Sequence, residues 1–156
     1  MKEPKDSSNA IVRPPIAWAL AFAAGLGLNW LDPLPWIPAA VPNVWIGAAV
    51  FAAAFALAIW AIVSFRRAGT RVETTEPTTT IVEHGPYRFT RNPIYMGMFL
   101  GQIGFAIGFN SLWILITLIP FYLVLRHGVV AREEAYLERK FGGVYLGYKS
   151  RVRRWL

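Results

Sequence analysis

The chain of 156 residues has room for one domain, and 55 % of its residues are apolar, above the roughly 45–50 % usual in soluble domains. Its net charge of +7 does not predict a nucleic-acid partner, because the cations lie outside the apolar runs, on one side of them, as in membrane proteins. The absence of cysteine excludes disulfides, thiolate metal sites and a cysteine nucleophile. With only two histidines as well, we expect no bound metal.

Four apolar runs without a Lys, Arg, Asp or Glu dominate the chain. One soluble domain of this size could hardly bury four such helices, whereas a helix of about 17–25 residues crosses a bilayer. The predicted fold is therefore all-α and polytopic. It has four transmembrane helices at about 16–31, 44–65, 94–109 and 112–130, the last extended past its apolar part by its helical pattern.

The Lys and Arg residues predict the orientation of these spans. Three precede the first span, five lie between the second and third, eight follow the last apolar run, and the other two loops have none. Because positively charged loops face the cytoplasm, both termini and the central loop are predicted to be cytoplasmic. We expect an integral protein of a bacterial inner membrane, with a mobile tail at 1–13 and a single membrane-embedded domain at 14–156. The sequence does not indicate an oligomeric state.

The second and third spans carry small residues at helical spacing. Gly47 lies on the second span, and Gly97, Gly101, Gly104 and Gly108 follow the third at intervals of three or four residues. Such stripes are typical of helices whose backbones approach closely. We therefore predict close helix packing here, in preference to a cofactor lying along the glycine face.

Two polar segments, 66–93 and 131–156, lie on the predicted cytoplasmic side, and the second ends in a predicted amphipathic helix on the membrane surface. Arg can hold a carboxylate or phosphate, Glu can hold an ammonium or a ribose hydroxyl, and aromatic rings can stack on a base. Together these types favour a site for a zwitterionic ligand that contains a nucleoside. The candidates are His84, Tyr87, Arg88, Arg91, Asn92 and Tyr95, facing Glu133, Glu134, Tyr145 and Tyr148.

Two blocks of these segments carry a resemblance to a known family. They are His84-Gly-Pro-Tyr-Arg-Phe-Thr-Arg-Asn-Pro-Ile-Tyr-Met-Gly and, about forty residues later, Arg132-Glu-Glu-Ala-Tyr-Leu-Glu-Arg-Lys-Phe-Gly-Gly-Val-Tyr-Leu-Gly-Tyr-Lys-Ser-Arg-Val-Arg-Arg. In this order and spacing they resemble the C-terminal signature of the isoprenylcysteine carboxyl methyltransferase and phospholipid methyltransferase superfamily. The resemblance covers about residues 81–154.

The resemblance implies a membrane-embedded methyltransferase that uses S-adenosyl-L-methionine and acts on a lipophilic small-molecule or lipid-like acceptor, with membrane lipids as neighbours. Family members often have His where this chain has Asn92, so Asn92 is expected to bind and not to transfer protons. The implied cofactor-binding residues are His84, Gly85, Pro86, Tyr87, Arg91, Asn92, Pro93, Tyr95, Glu133, Glu134, Tyr145 and Tyr148.

The chemistry expected of this site depends on the acceptor. A carboxylate is already ionised at neutral pH and needs only positioning, for which Arg91 and Arg151 are candidates. An amine acceptor has to lose a proton, and Glu133 or Glu134 could accept it. A thiol is the third acceptor class that we consider.

Two other functions stay open from the sequence. A membrane NADPH-dependent reductase of the sterol type resembles the same C-terminal pattern, and it would need cations for the dinucleotide phosphates. A non-catalytic membrane scaffold would use the polar cluster only to bind lipid headgroups. The cations available to a dinucleotide are Arg88, Arg91, Arg151, Arg153 and Arg154.

Overall fold

The structure is a computed structural model that describes residues 8, 10–70 and 77–156. Within this part of the chain the regular elements are helical, apart from one isolated bridge between Thr90 and Arg153, so the all-α prediction is confirmed. In chain order they are α1 (Pro14–Leu31), α2 (Asn43–Arg67), a 3-10 turn (Gly85–Arg88), α3 (Pro93–Gly108), α4 (Leu112–Ile116), α5 (Leu118–Leu125), a π-helical turn (Arg126–Val130), α6 (Ala131–Phe141) and α7 (Gly143–Arg151).

Three helical runs are long and apolar enough to cross a membrane: α1, α2 and the run Leu112–Phe141. The apolar part of the last run ends at Leu125, since residues 126–141 carry seven charged side chains. Helix α3 has 16 residues, about 24 Å at 1.5 Å per residue, and is therefore shorter than the ~30 Å hydrocarbon layer. It packs along α2, which gives a membrane protein with three to four spanning helices.

Proline fixes where two of the helices begin. Pro14 and Pro15 open α1 and Pro93 opens α3, positions at which the missing N–H costs no hydrogen bond and the fixed φ suits a helix. A break at Thr117 divides α4 from α5, within one turn of Pro120, whose ring prevents a regular hydrogen bond to the preceding turn.

Helices α2 and α3 touch through their backbones. A Cβ added to Gly47 would lie 2.5 Å from the nitrogen of Gly108 and 2.6 Å from the carbonyl oxygen of Gly104. A Cβ added to Gly104 would in turn lie 2.9 Å from the carbonyl oxygen of Gly47. The predicted close packing of the glycine stripes is thus confirmed, and the stripe faces a helix and not a cavity.

Hydrogen bonds join the loop after α1 to the loop after α3. The Asn110 side-chain oxygen accepts hydrogen bonds from the backbone N–H groups of Trp36 (2.9 Å) and Ile37 (2.8 Å). Its amide nitrogen donates to the carbonyl oxygen of Ile37 at 2.9 Å. Asn110 has a φ of +49°, a left-handed conformation that Asn tolerates better than most residues. These contacts close the end of the bundle at which α1 and α3 terminate.

The mobile tail predicted at 1–13 falls mainly outside the described residues, which exclude eight of these thirteen. Its last residues are docked on the bundle. The N–H of Ile11 donates to the carbonyl oxygen of Gly128 in the π-helical turn at 3.0 Å. Ala10 and Val12 pack against the core cluster that contains Val129. The tripeptide Ala-Ile-Val is too short to show a periodic pattern, but it is apolar enough to cover this turn.

Candidate functional site

A cavity of about 490 Å³ lies at the end of the bundle where α1 and α3 begin and α2 ends. Its volume falls within the roughly 300–1,000 Å³ of small-molecule sites. Residues of both polar segments of the sequence contribute to its wall. The predicted site residues that line it are Tyr87, Arg91, Asn92, Pro93, Tyr95, Glu133, Glu134, Tyr145 and Tyr148.

Glu134 holds two arginines inside this wall. Its Oε1 atom accepts from Arg91 Nη2 (3.0 Å) and from Arg154 Nε (3.0 Å), and its Oε2 atom accepts from Arg154 Nη2 at 2.6 Å. The Glu134 side chain is 8 % exposed. Such a carboxylate is stable in the interior only when it is paired, and here both of its oxygens are occupied.

Arg91 keeps donors to spare. Its side chain is 8 % exposed, and within the described residues its Nε and Nη1 atoms have no hydrogen-bond partner. A buried guanidinium nitrogen without a partner is costly, unless a ligand supplies an acceptor. Because Arg91 lines the cavity, these donors can serve an anionic group there.

Glu133, the neighbour of Glu134, has a different environment. The hydroxyl of Tyr95 donates to Glu133 Oε1 at 2.8 Å. Burial raises the pKa of Glu133 to about 7, the hydrogen bond from Tyr95 lowers it, and the nearby Glu134 charge raises it. A carboxyl group with a pKa near neutrality can hold a proton or accept one, which suits acid–base work.

Three tyrosines supply aromatic surface. Tyr148 donates its hydroxyl hydrogen to the carbonyl oxygen of Tyr87 at 2.9 Å, which ties α7 to the 3-10 turn. The ring centroids of Tyr145 and Tyr148 lie 6.2 Å apart. Burial raises the pKa of all three phenols well above the ordinary value, so they stay neutral at physiological pH. They can stack on a base or face a cation but cannot act as anions.

The chain segment after α7 completes the site. The N–H of Arg91 donates to the carbonyl oxygen of Arg153 (3.0 Å), and the Asn92 amide donates to that of Arg154 (2.8 Å). The ring of Trp155 lies 5.8 Å from those of Phe99 and Tyr122, centroid to centroid. Asn92 therefore lines the cavity and also holds the segment after α7 in place.

Five predicted site residues do not line the cavity, among them Arg88, which is exposed. His84 is exposed. Gly85 has a φ of +63° and a Cβ there would lie 2.4 Å from Ser64 Oγ, so this glycine allows a turn against α2. Pro86 is fully buried away from the cavity. Arg151 forms an exposed ion pair with Glu83 (2.8 Å) at the surface. These residues belong to the sequence blocks, but the local turn and the helix spacing direct their side chains away from the cavity.

Sequence reasoning missed several residues of the site. Arg154 was considered only as a phosphate or headgroup contact, and nothing in the basic run 149–154 shows which cation reaches Glu134. The start of α1 carries no motif that indicates a wall of the site, and within the central loop the motif does not extend to residues 78–82. The additional lining residues are Ser8, Arg13, Pro14, Pro15, Ile16, Phe65, Thr78, Thr80, Ile81, Val82, Ile94, Met98, Tyr136 and Leu137.

Comparison with known proteins gives two matches. The family model described as phospholipid methyltransferase matches residues 42–143. A protein of Haemophilus influenzae described as uncharacterized is 38 % identical over 63 residues, which are 40 % of this chain and the full length of that protein. No solved structure matches the chain significantly.

Proposed function

The chain belongs to the phospholipid methyltransferase family, and on that premise we propose that it transfers a methyl group from S-adenosyl-L-methionine to a small lipophilic or lipid-like acceptor. The family confirms the resemblance of the two sequence blocks and indicates a membrane methyltransferase in general. The methyl donor, the acceptor class (carboxylate, amine or thiol) and the roles of individual residues are our proposals.

The spare donors of Arg91 are the observation that carries the proposal. S-adenosyl-L-methionine has a carboxylate, an ammonium, a sulfonium and an adenosine. One cavity offers partners for each: Arg91 for the carboxylate, Glu133 for a cationic group and neutral tyrosine rings for the base or the sulfonium. The residues present therefore fit this donor.

The bound donor would supply a methyl group already activated by a sulfonium. The residues of the chain then have to orient both reactants and exclude water. Arg91 would orient the donor, and the buried walls from α3, α6 and α7 would keep water out. For an amine acceptor, Glu133 could take up the proton that is released, since its pKa is near neutrality.

The apolar part of the cavity supports a lipophilic acceptor. Ile16 on α1 and Ile94 and Met98 on α3 line it where these helices begin. An acceptor dissolved in the membrane could enter between the two helices and reach the polar end. We propose that the protein lies in a bacterial inner membrane with both termini and the cavity on the cytoplasmic side, as the positive loops predict.

Calorimetric titration of the detergent-purified protein tests this function. S-adenosylhomocysteine should bind with micromolar affinity, and NADPH should not. Arg91→Ala should weaken S-adenosylhomocysteine binding by about ten- to a hundredfold, as expected for the loss of charge-assisted hydrogen bonds. Arg88→Ala is the matched control, because Arg88 is an exposed arginine of the same segment outside the cavity wall.

Three outcomes would contradict the proposal. Binding of NADPH alone would support a reductase, and binding of neither ligand would support a scaffold. Equal affinity for S-adenosylhomocysteine in Arg91→Ala and Arg88→Ala would mean that Arg91 does not bind the donor.

A further inference from the structure

We propose that Arg154 is a positioning residue of the methyl-donor site: it occupies Glu134 and thereby keeps two donors of Arg91 free for the donor's carboxylate. This inference rests on the proposed function and goes beyond it, since Arg154 lies outside residues 42–143, the part that matches the family model. It acts through Arg91 and does not itself line the cavity.

Glu134 is shared unequally between the two arginines. Arg154 binds it in a fork, with Nε on Oε1 at 3.0 Å and Nη2 on Oε2 at 2.6 Å. Arg91 reaches it with Nη2 alone, at 3.0 Å from Oε1. The two-point contact is the arrangement that arginine and carboxylate prefer, so Arg154 has taken the position that Arg91 would otherwise fill.

Arg91 is the residue that this arrangement affects. With Glu134 Oε2 already occupied, Arg91 can make only a one-point contact, and its Nε and Nη1 atoms find no partner within the described residues. If Arg154 were absent, Oε2 would be open and Arg91 could turn to bind Glu134 at two points. Its donors would then be consumed inside the protein.

The charges at the site lead to the same expectation. Arg91 and Arg154 balance Glu133 and Glu134 when both carboxyl groups are ionised. Whether or not Glu133 is ionised, removal of Arg154 makes the site more negative by one charge beside the place where the ligand carboxylate binds. In a buried site, where screening is weak, this charge would repel the carboxylate.

The backbone holds Arg154 where this role requires it. Its carbonyl oxygen accepts hydrogen bonds from the Thr90 hydroxyl (3.2 Å) and the Asn92 amide (2.8 Å), close in sequence to Arg91. Substitution of the Arg154 side chain leaves these backbone contacts possible. The neighbouring Arg153 side chain is exposed, so Arg153→Gln removes an equal charge from the same segment without touching Glu134.

The test compares two ligands that differ in the carboxylate. S-adenosylhomocysteine carries the amino-acid group, whereas methylthioadenosine keeps the nucleoside and thioether but lacks it. For Arg154→Gln we expect S-adenosylhomocysteine affinity to fall about tenfold or more, with methylthioadenosine affinity unchanged. Arg154→Lys keeps a cation for Glu134, so its ratio of S-adenosylhomocysteine affinity to methylthioadenosine affinity should stay close to that of the wild type. Arg153→Gln should have the same ratio as the wild type.

A structural role alone would give another pattern. If Arg154 only docked the end of the chain, Arg154→Gln would weaken both ligands in parallel, and this result would overturn the inference. So would an unchanged affinity for S-adenosylhomocysteine. In the double variant Arg91→Ala with Arg154→Gln the two losses of affinity should not add fully, since the part of the effect that passes through Arg91 is already lost in Arg91→Ala.

Failure of the proposed function gives a distinct result. A wild-type protein that binds neither ligand would overturn both the proposed function and the role of Arg154. A wild-type protein that binds both, with Arg154→Gln also unchanged, would overturn the role of Arg154 only.

Discussion

Glu133 and Glu134 are adjacent in sequence, yet their surroundings give them different chemistry. Glu134 faces two guanidinium groups and has both oxygens occupied. Glu133 accepts a hydrogen bond from Tyr95 and forms no ion pair within the described residues. Because burial without a counter-ion favours the neutral carboxyl group, Glu133 can exchange a proton near neutral pH.

Replacement of Glu133 by Gln should therefore change how stability depends on pH. The folded-state pKa of about 7 lies above the ordinary 4.5, so the folded protein binds this proton more tightly than the unfolded chain. The free energy of unfolding then falls as the pH rises between these two values. Glu133→Gln cannot ionise, so its melting temperature should exceed that of the wild type at about pH 8 and approach it at about pH 5.

Intrinsic fluorescence can follow this melting, since the chain has seven tryptophans. Glu138→Gln is the control, because Glu138 lies on the same helix but is partly exposed and paired with Lys149. It should keep the wild-type pH dependence. If Glu133→Gln also kept it, the assignment of the pKa near 7 to Glu133 would be wrong.

At the residue scale, the sequence indicated residues that the structure brings together but did not indicate how they pair. Arg91, Glu133, Glu134 and the tyrosines do line one cavity. The pairing of Glu134 with Arg154 depends on a chain reversal after α7 that no local pattern encodes. Exposure of His84 was equally hidden, because one turn of 3-10 helix decides which side chains of the block face inward.

The helices themselves followed the apolar pattern closely. Helices α1, α2 and α3 begin and end within two residues of the apolar runs, since proline marks two of the starts and charged or polar residues mark most of the ends. The π-helical turn was not foreseeable from composition. It lies within a stretch whose sequence predicts an ordinary α-helix. Tertiary contacts such as the one with Ile11 stabilise it.

The contact of α2 with α3 predicts a sharp difference between two glycines. Gly47→Ala should lower stability by about 1–3 kcal/mol, the usual cost of overpacking, because its Cβ would meet the backbone of α3 at 2.5 Å. Gly27→Ala on α1 is the control, since nothing lies within 4 Å of its added Cβ. Alanine is also the better helix former, so this variant should be neutral or slightly stabilised.

Thermal melting of both variants in the same detergent measures the difference. Equal melting temperatures for Gly47→Ala and the wild type would mean that the two backbones are farther apart than in this structure. The cavity residues lie at the other end of the α2–α3 contact, so S-adenosylhomocysteine affinity provides a second readout.

At the scale of the whole molecule, the loops differ in both charge and chemistry. One end of the bundle is closed by loops without Lys or Arg that are held together through Asn110, and the other end carries the cations and the cavity. The alternation of four helical runs brings the start of α1, the end of α2 and the start of α3 to the same end. This arrangement was predictable, because it follows from an even number of spans and the distribution of charge.

Reporter fusions test the proposed orientation. A fluorescent protein fused after Leu156 should fluoresce, and alkaline phosphatase fused there should be inactive, since phosphatase folds only outside the bacterial cytoplasm. Phosphatase inserted into the loop after α1 should be active. The reverse pattern would contradict the proposed orientation while leaving the cavity and the fold unaffected.

The glycine contact between α2 and α3 also limits how the cavity can open. Two helices in backbone contact behave mechanically as a single stiff rod, because neither can slide or tilt without a steric clash. Entry into the cavity and exit from it therefore depend on its other boundaries, among them the docked segment before α1, which precedes the gap between α1 and α3, and the short helix α7. We expect hydrogen exchange to be slow along the rod and faster in these two boundaries, so that the time a ligand stays bound is set by their motion.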